Sequence, residues 1–109
     1  MSDIKLLQAE ILAFRDERDW AQFHNTKDLA AGLSIEAGEL LECFLWKKPE
    51  DADPSKIREE LADVIVYALL IAAQANIDIP EAVRSKLKAN AAKYPVDKAK
   101  GRSDKYDKL

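Results

Sequence analysis

Four acids carry the chemistry that this sequence offers. Glu36 and Glu39 stand in "SIEAGELLECFLW", and Glu60 and Asp63 stand in "EELADVIVYALLIAA". Within each pair the acids are three residues apart, so on a helix they share a face. Glu42 extends the first row, and Tyr67 continues the second toward the apolar stretch Val64–Ala73. Leu33, Ala37 and Leu40 lie on or beside the first row, which puts it at the edge of a buried stripe. Antiparallel packing of the two segments would set the pairs facing each other.

Four facing carboxylates repel, and each loses hydration on burial at a cost of several kcal/mol. Protons would neutralise them, with raised pKa values. Divalent cations would do so too, and an all-oxygen cluster suits Mg²⁺ or Mn²⁺ rather than zinc. The plainer arrangement is a wet helix end where the acids pair with Lys or Arg. One ExxE reads most simply that way. Two pairs flanking an apolar wall, with Tyr67 on the same face, favour the cluster. Di-iron bundles use Glu-x-x-His, and the single histidine, His24, is in a connector without ligand spacing. It reads as a loop residue near a subunit or ligand surface.

Helices must position these groups. Ala, Leu, Glu and Lys dominate, with 3 Gly and 4 Pro among 109 residues, and these side chains cost little in a helix. Ile4, Leu7, Ile11 and Phe14 recur at helical spacing and predict a first helix over about 4–19, with Asp3 as a plausible N-cap. A second is expected over about 27–46, capped by Asn25. "KKPEDADPS" breaks the pattern, and Asp53-Pro54 opens a third over about 55–75. From Val64 that helix is apolar all round, as in a helix buried on every side. Asp78, Pro80 and Glu81 open a fourth over about 79–93, which Pro95 ends. Residues 95–109 lack periodicity and read as an extended arm.

The length suits one domain, 1–109. Net charge is −3, unevenly placed. Residues 93–109 carry six basic against three acidic side chains, so a basic tail follows an acidic body. Such a tail suits an anionic ligand, a nucleic acid or an acidic subunit face, and equally a solvated end. The one cysteine, Cys43, allows no intrachain disulfide. Val64–Ala73 is too short for a bilayer, which needs about 20 residues, and the N-terminal residues show no cleavable signal pattern. The expectation is a cytoplasmic protein with no membrane partner. Helices of this size cannot easily wrap one that is apolar all round, so a homo-oligomer, dimer or tetramer, is expected.

The order "EAGE", twenty residues, then "ELAD" resembles the signature of the MazG-like, all-α nucleoside triphosphate pyrophosphohydrolases. "ERDWAQFHNTKDLAAGLSIEAGELLECFLW" and "SKLKANAAKYPVDKAKGRSDKY" are similar to the dCTP pyrophosphatase branch. The resemblance implies an all-α, four-helix bundle assembled between protomers, with the basic arm attached. It implies Mg²⁺-dependent hydrolysis of a nucleoside triphosphate, with dCTP or related deoxynucleotides expected, to monophosphate and pyrophosphate, as house-cleaning of non-standard nucleotides. No nucleic acid polymer is expected as a partner. By the same resemblance Glu36, Glu39, Glu60 and Asp63 would hold the metal, with Glu36 or Glu39 as proton acceptor. Trp20 and Trp46 would line the base pocket. Tyr67, Asn90, Lys93 and Tyr94 would lie near sugar and phosphates. The arm, with Lys105 and Tyr106, would close over the site. Ile11 stands where that branch often has a histidine near the base. A related enzyme for dUTP or phosphoribosyl-ATP, and a non-catalytic helical module binding nucleotides or protein, are the alternatives.

Overall fold

The computed structural model describes residues 2–109, and among them there is helix but no strand. Residues 2–77 and 78–109 form two compact units. The first holds α1 (Asp3–Glu17), α2 (Thr26–Glu42) and α3 (Pro54–Gln74). The second holds α4 (Ile79–Lys93) and the single-turn α5 (Val96–Ala99).

The starts of these helices follow from their caps. Ser2 caps α1 by accepting from the Lys5 amide, one residue before the expected Asp3. Asn25 accepts from the Asp28 amide at 2.8 Å to open α2. Asp53 accepts from the Ser55 amide at 2.9 Å, with Pro54 in the first turn of α3. In the second unit Asp78 accepts from the Glu81 amide at 3.1 Å. Each cap satisfies an amide that the helix itself leaves unpaired.

The second helix ends earlier than expected, at Glu42 rather than Trp46. Past Glu42 the chain tightens into turns closed by Phe44 N to Leu41 O and Leu45 N to Glu42 O. Trp46 then takes a left-handed backbone, φ 60°, which no helix continues through. The connector to α3 includes a 3₁₀ turn over Pro49–Asp51 and the buried Ala52. The arm is not uniformly extended: α5 interrupts it, and a 3₁₀ turn spans Tyr106–Lys108.

In the first unit the core consists of Leu29 on α2 and Leu69, Leu70 and Ala72 on α3, joined by Ala52. α1 is tied to it by Gln8, whose Nε2 donates to the Leu69 carbonyl at 2.9 Å. The apolar third helix is not covered on every side by its own chain. Leu61 and Ile65 stay 48% and 43% exposed. No single helix among the described residues is long and apolar enough to cross a membrane.

Candidate active site

Gly32 and Tyr67 set how α2 meets α3. A Cβ at Gly32 would lie 2.7 Å from Tyr67 Cζ, so the ring occupies the space that only glycine leaves open. Gly32 is one turn before Glu36, and Tyr67 is one turn after Asp63. Glu36 in turn meets Glu60 and Asp63. Residue number falls along α2 as it rises along α3, so the helices run antiparallel and Glu36 faces Glu60 and Asp63.

Carboxylate oxygens of Glu36, Glu60 and Asp63 all lie within 4.8 Å of one another. Glu36 Oε2 and Glu60 Oε2 are buried without a hydrogen-bond partner among the described residues. Orphaned buried oxygens are costly, and here two belong to acids. Oxygen ligands sit about 2.0–2.6 Å from Mg²⁺ or Ca²⁺, so opposite ligands are separated by about 4–5 Å. The three oxygens therefore suit one hard divalent cation. Asp63 is exposed and leaves the group open on one side.

Glu39 flanks the three, and its carboxyl interacts with those of Glu36 and Glu60. The Glu36 contact is the main cause that raises the Glu39 pKa above its ordinary value. Burial, then the neighbouring Glu39 carboxyl, raises that of Glu60, and Lys56 opposes the rise. A cavity of about 420 Å³ opens beside the pair, lined by Glu39, Glu42, Cys43, Lys47, Asp53, Lys56 and Glu60.

Of the aromatics expected near the base, Trp20 packs edge-to-face on Phe14 with centroids 5.8 Å apart. The Arg18 guanidinium lies 3.6 Å from the Phe14 ring centroid. Trp46 is 95% exposed on its strained turn and packs on nothing. Asn90, Lys93, Tyr94 and Lys105 belong to the second unit. There Tyr94 meets Tyr106 edge-to-face at 6.1 Å. Lys93 and Lys105 bring their ammonium groups to 5.0 and 5.9 Å from the Tyr106 ring. Asn90 is half-buried and its carbonyl accepts from the Tyr94 amide at 2.8 Å.

Lys47, Lys56 and Gly32 were not legible as site residues in the motif. Lys56 stands one helical turn before Glu60, and Gly32 one turn before Glu36. Spacing from the acids is therefore the signal that reaches both. Lys47 comes into the cavity only through the turn that follows α2.

Fold and site together define an all-α protein with a cluster of carboxylates that could hold a metal ion. The model of the MazG-like family matches residues 32–109. Mouse dCTP pyrophosphatase 1 is 39% identical over 117 aligned residues, covering all of this chain and 67% of the mouse protein. The human dCTP pyrophosphatase 1 is likewise 39% identical, with the same coverage. A crystal structure of a pyrophosphatase from Archaeoglobus fulgidus matches with a TM-score of 0.81 at 36% identity, over 87% of this chain and 94% of that one. The chain belongs to the MazG-like family.

Proposed function

We propose that the chain is a nucleoside triphosphate pyrophosphohydrolase that converts dCTP, or a closely related deoxynucleotide, to the monophosphate and pyrophosphate with Mg²⁺. The observation that carries this reading is the trio Glu36, Glu60 and Asp63, with two buried oxygens that have no hydrogen-bond partner among the described residues. The relatives named for dCTP pyrophosphatase activity point to the same reaction.

In the reaction the oxygen of water bonds to the α-phosphorus. The bond from that phosphorus to the bridging oxygen breaks, and pyrophosphate leaves with its electron pair. Glu36, Glu60 and Asp63 would hold the cation. When bound, a divalent cation neutralises phosphate charge and makes the attacking water more acidic. Glu39 stands beside the trio and takes the proton of the water. Lys47 and Lys56, on the wall of the neighbouring cavity, offer cations to phosphate oxygens. Trp46, exposed and unpacked, offers a stacking face to a base, which accepts any ring. In the second unit Lys93 and Lys105 gather two cations around Tyr106, a surface suited to phosphate.

The functional unit in this reading is one MazG-like domain per chain, paired with a second copy. Leu61 and Ile65, exposed on the helix that carries Glu60 and Asp63, are the surface that a second copy would cover. Light scattering checks this, and a stable monomer at micromolar concentration contradicts it.

Product chromatography tests the reaction. dCMP and pyrophosphate are the expected products. Diphosphate plus orthophosphate would refute attack at the α-phosphorus, and no turnover of any nucleotide with Mg²⁺ or Mn²⁺ would refute the enzyme.

A further inference from the structure

A second cavity, of about 360 Å³, opens between α1 and α3. Leu7, Glu10, Ile11 and Phe14 line it from α1, and their spacing of three, one and three residues places them on one helical face. Asp63 and Val66 line it from α3. Asp63 also belongs to the carboxylate trio, so this cavity and the cation site share a wall. At the α1 side Phe14 carries Trp20 against its ring. The volume is at the small end of the roughly 300–1,000 Å³ of ligand sites. The lining is apolar except for two carboxylates. Asp63 is committed to the trio. Glu10 is exposed and makes no hydrogen bond or ion pair among the described residues, so its oxygens are open to a ligand entering from solvent.

We propose that Glu10 reads the base. Its carboxylate accepts a hydrogen bond from the exocyclic amine of cytosine seated between α1 and α3, and the chain therefore takes dCTP over dUTP and dTTP. This rests on the reading that the substrate is a deoxynucleoside triphosphate. A carboxylate only accepts. Cytosine presents an N4 amine that donates to it, whereas uracil and thymine present an O4 acceptor at the same position. With uracil the two sets of lone pairs face each other. The shared wall at Asp63 fits a nucleotide laid out with its base on the α1 side and its phosphates at the trio. Helical spacing explains the choice of residue. Glu10 is one position from Ile11 and three from Leu7, so it enters the cavity with the apolar face of α1.

Steady-state hydrolysis of dCTP, dUTP and dTTP by the wild-type protein and by Glu10→Gln tests this. The substituted amide keeps the size of the side chain but can donate to O4. The preference of kcat/KM for dCTP over dUTP should fall about ten- to a hundredfold, mainly through KM. The rise in Tm on adding Mg²⁺ should be unchanged, since Glu10 is outside the trio. Glu10→Asp keeps the acceptor and should keep the direction of the preference. An active wild type whose preference survives Glu10→Gln intact overturns the role of Glu10 and leaves the pyrophosphohydrolase reading standing. So does a wild type that prefers dUTP. A wild type that hydrolyses no nucleotide overturns both. Calorimetric binding of dCMP and dUMP to the wild type needs no variant, and equal affinities also overturn the proposal.

Discussion

Replacing Glu60 by Gln should reverse the order of stability between the metal-free and the Mg²⁺-loaded protein. Burial, then the neighbouring Glu39 carboxyl, disfavours the charged form of Glu60. A neutral amide of the same shape removes that disfavoured charge, so without metal the Glu60→Gln variant should melt at or above the parent temperature. With metal the order should change. A cation held only by the folded parent, at a free concentration about a hundred times its Kd, stabilises by about 2.7 kcal/mol. At about 4–8 °C per kcal/mol for a domain near this size, that is a rise of about 11–22 °C. Loss of one of three anionic ligands that weakens binding a hundredfold leaves about 0.4 kcal/mol at the same concentration. Differential scanning calorimetry with EDTA and with Mg²⁺ reads all four states. A Glu60→Gln variant that melts below the parent in EDTA and still gains the full rise with Mg²⁺ would refute the reasoning from the orphaned oxygens.

The same two acids predict how stability depends on pH. Glu39 and Glu60 titrate above the ordinary value of 4.5 in the fold, so between that value and the raised one the native state binds more protons than the unfolded chain. The contribution of these two acids to metal-free stability should thus be fully present below 4.5 and be lost as pH rises through the raised values, whereas Mg²⁺ binding should strengthen over the same range. Melting curves at several pH values check both slopes. Gly32→Val pushes a branched side chain into the Tyr67 ring and should cost about 1–3 kcal/mol in urea unfolding; Tyr67→Ala in the same background should cost less than the two separate effects combined. Glu39→Gln should lower kcat by orders of magnitude at little changed Mg²⁺ affinity, while Trp46→Ala should raise KM at nearly constant kcat; steady-state kinetics separates the two.

Much of this site was written in local sequence. Acids three apart on predicted helices must share faces, because 3.6 residues make a turn. Asn25, Asp53 and Asp78 each cap the helix expected of them, because a short polar side chain satisfies amides within its own turn. These relations need only a few consecutive residues, and the helix starts that they predict agree with the fold to within a residue or two. Ends were less legible. The second helix stops at Glu42, where the chain tightens into turns before Trp46 takes a left-handed backbone, which nothing in a run of helix-forming side chains announces.

Other features exist only where separate segments meet. Which oxygens are left without a donor, on Glu36 and Glu60, depends on what α2 and α3 bury together. The register that opposes them is set by Tyr67 on the bare backbone of Gly32, a contact between residues 35 positions apart. The exposure of Leu61 and Ile65 is likewise a matter of packing; periodicity marks an apolar helix but not what covers it. Glu10 shows the division most plainly. In sequence it is one more charge on an amphipathic helix. Only the approach of α1 to α3 makes it one of two carboxylates, with Asp63, that line an otherwise apolar cavity, because a side chain's chemistry depends on the dielectric and the partners around it, and those come from distant parts of the chain.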